Sequence, residues 1–312
     1  MKRALVVGSL NMDVILRTDE LPQKGETKIA KEWKIVGGGK GANQAIAMGR
    51  LGANVSMVGK VGDDEFGHKL IEELRNSNVD TIGMLVDDSE KTGTAYITID
   101  DTGENTIVVA PGANSKLLRE DIEEKKATIL NSDILVLQME IPKGTNSYII
   151  DLAKKVGKQV VLNFAPAVEF NNETLEKVDF LILNETETAY LAGVGCTGEQ
   201  CIETIDRTVE LIRKKFLGDV LITLGCNGCI WADKKGNISR FIAFPVEAVD
   251  STGSGDAFVG GFVYGLLMNK NMIDSIRLAS AAGALAVTKI GAQPSLPYRE
   301  EVENLLAQHT NT

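Results

Sequence analysis

Short apolar runs alternate along most of the chain with segments whose apolar residues recur at helical spacing. Six runs rich in β-branched residues predict buried strands at residues 4–8, 55–62, 133–138, 159–165, 180–184 and 219–225. Helical patterns occupy residues 41–51, 64–77, 145–156, 185–192, 202–216 and 254–289. This alternation predicts an α/β protein with a mostly parallel sheet covered by helices on both faces, which is a three-layer α/β/α architecture.

Two regions depart from that rhythm. Residues 12–36 and 93–110 alternate apolar and polar residues around turn-forming residues, a pattern typical of antiparallel strands with one solvated face. We expect the two segments to pair into one small antiparallel sheet outside the core, as a lid or a dimer surface. The alternative is a pair of edge hairpins on the main sheet. With these segments inserted, residues 1–312 are expected to form one domain.

The chain is acidic. Its 312 residues carry a net charge of -10, and 44% of them are hydrophobic. Nucleic acids and anionic membrane surfaces attract concentrated Lys and Arg, so neither is an expected partner. The first apolar run is too short for a signal peptide, and no run approaches the ~20 residues of a membrane span. A cytoplasmic protein is therefore expected.

The four cysteines are Cys196, Cys201, Cys226 and Cys229. Their spacing leaves a zinc site or a redox pair open. Cys226 and Cys229, however, lie at a glycine turn between two apolar runs, which indicates strand, turn and strand. We therefore expect ordinary core or turn residues.

The glycine cluster GGGKGANQA at residues 37–45 opens a predicted helix. It does not directly follow the first strand, as a dinucleotide-binding fingerprint does, and it does not match a P-loop. Its small residues let a ligand approach the backbone, and Lys40 and Asn43 add hydrogen-bond donors. This combination suits a hydroxyl-rich ligand such as a sugar. The alternative is a tight turn with solvated polar side chains.

Asn11 and Asp13 follow the first predicted strand. Open α/β sheets bind ligands at this edge, and residues two apart on an extended chain point the same way. The pair could therefore contact neighbouring sugar hydroxyls, although a polar β-turn remains open.

The stretch DSTGSGDAF at residues 250–258 places a carboxylate where a glycine-rich turn enters a helix. The amides of Gly253, Ser254 and Gly255 and the helix dipole could stabilise charge on a transferring phosphoryl group. Asp256 could then take a proton from an attacking hydroxyl. The alternative is a simple helix cap. Asp250, at the start of the loop, could bind a cation.

Three stretches together resemble the ribokinase-like carbohydrate kinase family: GGGKGANQA, LNETE at residues 183–187, and DSTGSGDAF. The resemblance extends from GSLNMD at residues 8–13 to GAQPS at residues 291–295. It implies the α/β kinase fold with a β-sheet lid and ATP-dependent phosphorylation of a sugar, with D-ribose phosphorylated at its 5-hydroxyl. It also implies a homodimer through the lid.

The resemblance implies a role for individual residues. Sugar hydroxyls would be held by Asn11, Met12, Asp13, Gly39, Lys40, Gly41, Ala42, Asn43, Glu140 and Asp256. Asp256 would be the general base, with Gly253, Ser254 and Gly255 as the anion hole. ATP would contact Asn184, Thr223, Leu224, Gly225, Cys226, Asn227, Gly228, Gly255 and Ser280. Mg²⁺ would be bound through water by Asn184 and Glu187. A monovalent cation, K⁺, would be held by Asp250, Thr252, Ala286, Lys289, Gly291 and Ser295.

Two departures concern the nucleotide. Ser280 stands where the family often has a histidine beside the adenine, and the loop sequence CNGC is unusual. The alternatives are a related kinase acting on deoxyribose, fructose, a keto-deoxy sugar acid or a nucleoside, a non-catalytic sensor, and an NAD-dependent oxidoreductase.

Overall fold

The computed structural model describes residues 2–195 and 199–309. Its strands are β1 Ala4–Val7, β2 Asn11–Arg17, β3 Glu32–Gly38, β4 Val55–Val58, β5 Lys60–Gly62, β6 Val79–Asp80, β7 Leu85–Asp87, β8 Gly93–Ile99, β9 Asn105–Ala110, β10 Ile134–Leu137, β11 Gln159–Asn163, β12 Phe180–Asn184, β13 Asp219–Thr223, β14 Cys229–Ala232 and β15 Ile238–Phe241. Its α-helices are α1 Lys40–Arg50, α2 Glu65–Asn76, α3 Arg119–Glu124, α4 Lys126–Leu130, α5 Lys143–Lys155, α6 Asn172–Leu175, α7 Glu185–Ala192, α8 Glu199–Glu203, α9 Ile205–Arg213, α10 Ser254–Leu267, α11 Met272–Ala286, α12 Ala292–Ser295 and α13 Arg299–Gln308.

The central sheet has nine strands in the described part of the chain, in the order β15-β14-β13-β12-β11-β10-β1-β4-β6. Pairing is parallel from β6 to β13, and β14 and β15 continue it antiparallel at one edge. The strand predicted over residues 55–62 is divided, because β4 enters this sheet and β5 pairs with β7 instead. The predicted mostly parallel sheet is confirmed.

Helices cover both faces of the sheet. Along β1, Ala4 and Val6 pack in one apolar cluster with residues of α1, α2, α10, α11 and α13. Leu5 and Val7 pack in the other cluster with residues of α3, α5, α7 and α9. Because side chains alternate along a strand, a fully apolar run such as ALVV supplies both layers. The three-layer α/β/α class is confirmed.

A second sheet, in the order β3-β2-β8-β9, lies outside the parallel one and contains the segments 12–36 and 93–110 that broke the pattern. Each hairpin is antiparallel, and β2 and β8 join them as a parallel pair whose register begins with Asn11 opposite Gly93. The sequence pattern predicts only antiparallel pairing here. The central pair is parallel because β2 and β8 both leave the main body in the same direction.

The cysteine region has the predicted strand, turn and strand. Cys226 lies exposed in a 3-10 turn, Cys229 is buried on β14, and both thiols are free. Cys201 is disulfide-bonded, which the sequence pattern does not predict, and Cys196 lies outside the described residues. None of the helices in residues 2–195 and 199–309 combines the length and apolar character that crossing a membrane requires.

Candidate active site

Polar residues, some predicted and some not, meet at the carboxyl ends of the parallel strands. Ser9 follows β1 and Gln138 follows β10, while Asn163 and Asn184 end β11 and β12. Helices α1 and α10 begin at the same edge, so their N-terminal amides face the side chains that leave the strands. This is where open α/β sheets bind ligands.

Asp256 lies in the first turn of α10 and is 7% exposed. Its Oδ2 accepts a hydrogen bond of 2.9 Å from Nδ2 of Asn43, and its Oδ1 accepts one of 2.9 Å from Nε2 of Gln44. The glycine-cluster helix and the late aspartate, 213 residues apart, are therefore in direct contact. The amide of Asn43, predicted to bind the sugar, is directed at the carboxylate predicted to be the base.

Glu140 joins the start of α1 to the end of β1. Its Oε2 accepts hydrogen bonds of 3.0 Å from the Lys40 amide and 2.5 Å from the Ser9 hydroxyl. The Ser9 Oγ accepts one of 3.3 Å from the Gly41 amide. Amides at a helix start are free of intrahelical partners and attract negative charge, so this carboxylate is favourably placed.

Asp13 is the most perturbed carboxyl group of the site. Burial, with smaller contributions from the charges of Glu140 and Asp256, raises its pKa to about 7. The neighbouring strand has a glycine where it passes this group, because a Cβ at Gly38 would lie 2.2 Å from Oδ2 of Asp13. The backbone therefore packs directly against the buried carboxyl group, which is a strong hydrogen-bonding partner for a polyol.

Lys40 supplies the positive charge in this acidic pocket. Burial alone would lower the pKa of its ammonium, but the carboxylates of Asp256, Glu140 and Glu187 outweigh burial and raise it. Lys40 therefore stays charged and balances a cluster of acids. Glu187, which is predicted to lie near the nucleotide, is thus close enough for its charge to act on Lys40, which is predicted to bind the sugar.

Asn11 is held by a residue that the sequence interpretation missed. Its Oδ1 accepts a hydrogen bond of 2.8 Å from Nδ2 of Asn114, whose amide also donates to the Leu10 carbonyl and accepts from the Leu10 amide, both at 2.9 Å. Met12, also predicted to contact the sugar, is fully buried. Asn114 thus fixes the turn that carries Asn11.

The start of α10 has the conformation that an anion site needs. Gly253 is the N-cap, in the left-handed region at φ 80°, where a glycine pays no Cβ penalty. The first intrahelical bond comes from the Ala257 amide to the Gly253 carbonyl, whereas the Ser254 amide donates to the Ser251 carbonyl at 3.2 Å. The Ser254 amide, which was predicted to stabilise the transferring phosphoryl group, is therefore already hydrogen-bonded in a turn.

Asp250 ties together the two loops predicted to hold a cation. Its Oδ2 accepts a hydrogen bond of 2.8 Å from the Gly291 amide, and its Oδ1 accepts from the Thr252 amide at 2.9 Å. Burial acts to raise its pKa, but the hydrogen bonds from Thr252 and Gly291 outweigh burial and lower it. The hydroxyl of Ser295 also donates to the Thr252 carbonyl, at 3.4 Å.

Two other predicted cation ligands lie nearby in the chain. The carbonyl of Ala286 accepts from the Lys289 amide at 3.3 Å, and the Lys289 ammonium bonds Glu301 at 2.6 Å. The side chain of Lys289 therefore points into an ion pair, so a cation ligand from this residue would have to be its carbonyl. The atoms of the two loops that could bind a cation are all oxygens, which fits a hard cation.

Asn184 and Glu187 form a capping box at the start of α7. Oδ1 of Asn184 accepts from the Glu187 amide at 2.8 Å, and Oε2 of Glu187 accepts from the Asn184 amide at 2.9 Å. The N-x-x-E spacing thus has a local structural role that the sequence interpretation did not name. Burial raises the pKa of Glu187, and the Asn184 amide and Lys40 oppose that rise.

The nucleotide-loop residues follow β13. Thr223 lies opposite Asn184 in the sheet register, Leu224 is buried, and Gly225–Asn227 form a 3-10 turn. Gly228 follows at φ 84° and packs against the backbone of residues 241–243. The turn therefore lies beside the end of β15.

Ser280 lies beside this turn and lines a cavity of about 280 Å³ together with Phe244, Arg277 and His309. Its hydroxyl is 3.7 Å from the Sγ of Cys229, which directly follows Gly228. The structure therefore brings Ser280 and the turn at residues 225–228 to one place, next to an open cavity.

Sequence reasoning missed five polar residues that brace the site, namely Ser9, Gln44, Asn114, Gln138 and Asn163. All five are buried. For Gln44, Gln138 and Asn163 the available signal was residue type, because they are uncharged polar residues within or directly after apolar runs. Ser9 and Asn114 lie in a loop and a turn and gave no such signal. Their partners could not be read from the chain.

The comparisons with known proteins agree with this geometry. The sequence model described as pfkB family carbohydrate kinase matches residues 1–299. Ribokinase from Haemophilus influenzae is 38% identical over 98% of this chain and 98% of its own. The chain belongs to the pfkB family of carbohydrate kinases.

Two further relatives of this carbohydrate kinase bear on its substrate. Arabidopsis thaliana ribokinase, solved in complex with ribose and ATP, has a TM-score of 0.86 and 32% identity, and the match covers 98% of this chain and 99% of that chain. Deoxyribokinase of Salmonella typhi is 34% identical over 97% of this chain and 98% of its own. The predicted family and the expectation of a sugar kinase are confirmed.

Proposed function

We propose that this carbohydrate kinase transfers the terminal phosphoryl group of ATP to the 5-hydroxyl of D-ribose, giving ribose 5-phosphate and ADP. The single observation that carries the mechanism is the buried carboxylate of Asp256 at the start of α10, in contact with Asn43 of the glycine-cluster helix. The relatives named ribokinase support ribose as the sugar.

Asp256 acts as the base in this proposal. The sugar is held by Asn11, Asp13, Lys40 and Glu140, with its primary hydroxyl directed at the Asp256 carboxylate. That carboxylate accepts the hydroxyl proton as the oxygen attacks phosphorus. Two amide donors already bind it, which keeps it oriented before the sugar arrives.

The start of α10 receives the negative charge. The helix dipole places roughly half a positive charge there, and first-turn amides have no intrahelical acceptor. The Ser254 amide already donates to the Ser251 carbonyl. The anion hole in this proposal therefore consists of the amides of Gly253, Gly255 and Asp256. In this set of donors the Asp256 amide replaces the Ser254 amide that was expected from the sequence.

The bound nucleotide would supply the phosphoryl group, and Mg²⁺ would neutralise its charge. The base and ribose of ATP would lie along the turn at Gly225–Gly228 and beside Ser280. Asn184 and Glu187 would direct the waters of Mg²⁺ through their remaining lone pairs. Asp250 and the carbonyls of the loop that ends at Ser295 would hold K⁺ and so stiffen the anion hole.

The second sheet is proposed as both a lid and a dimer surface. Trp33 on β3, Tyr96 on β8 and Val108 on β9 are exposed. The strand register places these three side chains on one face of the sheet, because side chains alternate along each strand. A second copy of the chain would cover this apolar face. Sedimentation velocity would return the monomer mass if the proposal is wrong. The cytoplasmic location stays a prediction from the sequence.

The deciding assay measures ADP release with D-ribose, 2-deoxyribose, fructose and adenosine, each with potassium and with tetramethylammonium. We expect ribose to be used best and potassium to stimulate. The similarity to deoxyribokinase makes 2-deoxyribose the second candidate substrate. A clear preference for adenosine would overturn the sugar assignment.

Asp256→Asn tests the base. We expect turnover to fall by about 100-fold or more while ribose binding changes only several-fold, since a positioned base contributes about that factor. The matched control is Asp274→Asn, an exposed first-turn aspartate of α11, which should leave turnover unchanged. Near-normal turnover of Asp256→Asn would refute the assignment.

A further inference from the structure

A line of buried amide side chains lies behind the Asp256 carboxylate. Gln44 and Gln138 are fully buried, and Asn163 is 8% exposed. Nε2 of Gln44 donates both to Oδ1 of Asp256 at 2.9 Å and to Oδ1 of Asn163 at 3.0 Å. Nε2 of Gln138 donates in turn to Oε1 of Gln44 at 2.7 Å. The chain of bonds therefore runs from β10 through α1 to the carboxylate.

The direction of this chain is fixed at both ends. If the Gln44 amide were reversed, its oxygen would face the carboxylate oxygen and its nitrogen would face the Gln138 nitrogen. Both contacts would be repulsive, because donors would meet donors and acceptors would meet acceptors. Gln138 thus holds Gln44 in the one orientation that presents N–H groups to Asp256.

Gln138 is itself held in place at some energetic cost. Its backbone carbonyl accepts a hydrogen bond of 2.8 Å from the Asn146 side chain, and its Oε1 approaches Gly8 so closely that a Cβ there would lie 2.0 Å away. That Oε1 is buried and has no hydrogen-bond partner within the described residues. An apolar side chain at this position would avoid the cost of an unsatisfied buried oxygen. The amide is therefore better explained by what its nitrogen does than by stability.

We propose that Gln44 is a positioning residue for the base, oriented by Gln138. Its hydrogen bond to Oδ1 sets the plane of the Asp256 carboxylate, so that the oxygen facing the sugar is directed at the primary hydroxyl. This inference rests on the proposed role of Asp256. It concerns a residue that acts through Asp256 and not through the sugar.

Gln44→Leu tests the inference by removing the donor at similar volume. A hydrogen bond to a charged group corresponds to a change of about 10- to 100-fold in rate. We expect kcat to fall by that factor, the KM for ribose to change less than about 3-fold, and the acid limb of the pH–rate profile to move to higher pH. Gln138→Leu should shift the same three quantities in the same direction, by less.

A merely structural role would give a different result. Thr208→Val is the control. It removes a buried hydroxyl that donates a hydrogen bond of 2.8 Å to the carbonyl of Thr204, the N-cap of α9. This control should lose stability in thermal unfolding and keep kcat and the pH profile. Gln44→Glu keeps the side-chain shape if Gln44→Leu fails to fold, and it should move the acid limb in the same direction through charge repulsion.

Double variants separate this inference from the proposed function. In an Asp256→Asn background, Gln44→Leu should cost no further turnover, because its effect passes through the carboxylate. If Asp256→Asn is inactive but folded Gln44→Leu keeps the parent kcat and pH profile, only the positioning role fails. If Asp256→Asn retains turnover, the proposed function of Asp256 fails first.

Discussion

Replacement of Asp13 by asparagine should make the protein more stable at alkaline pH, although it removes a group proposed to bind the sugar. Burial and the neighbouring carboxylates raise the pKa of Asp13 from 3.8 to about 7. Between these values the folded protein holds a proton on Asp13 that the unfolded chain releases. The stability that this proton contributes is complete below about pH 4 and is lost as the pH rises through 7.

The size of the effect follows from the difference of about three pH units. Each unit corresponds to about 1.4 kcal/mol, so ionised Asp13 costs the folded protein roughly 4 kcal/mol above pH 8. Asparagine has nearly the same shape and never ionises. The difference in unfolding free energy between Asp13→Asn and the parent should therefore grow by roughly 4 kcal/mol in favour of the variant between pH 4 and pH 8.

Urea unfolding at half-unit steps from pH 4 to pH 8.5 measures this difference directly. Asp88→Asn, a change at an exposed turn carboxylate, is the control and should give a difference that hardly varies with pH. If the difference in unfolding free energy between Asp13→Asn and the parent does not vary with pH, ionisation of Asp13 does not destabilise the folded protein. The electrostatic account of the sugar pocket would then be wrong.

Two further predictions concern the charges around Asp13. Lys40→Met leaves Asp256, Glu140 and Glu187 without their cation, so we expect a loss of roughly 3 kcal/mol at pH 8 in urea unfolding and a smaller loss at pH 5. Equal losses at both pH values would contradict this account. Asp250→Asn places an amide nitrogen against the Gly291 amide, so it should lower stability by about 1–2 kcal/mol and abolish potassium stimulation of ADP release. Stimulation equal to the parent's would disconnect Asp250 from the cation.

The sequence alone determined the layers of this protein. Runs such as ALVV and ILVL are apolar on both faces, and only a parallel sheet between two helix layers buries both. Glycines mark the sharp entry into α10, because Gly253 needs a positive φ. The family resemblance then brought in the sugar, nucleotide and cation residues. The layers and the turn follow from local burial and backbone preference, which each stretch of chain carries by itself, whereas the residue roles came from the resemblance.

Tertiary structure decided which of these stretches meet. Asn43 and Asp256 are 213 residues apart, and the loops of Asp250 and Gly291 are joined by hydrogen bonds from the Gly291 amide and the Ser295 hydroxyl. The amides of Gln44 and Gln138 have no sequence signal for their partners, because the orientation of a buried amide depends on every donor and acceptor around it. The pKa of Asp13 likewise depends on desolvation and on charges that other elements bring near. Local pattern specifies an element, but packing between distant elements sets the chemistry of the site.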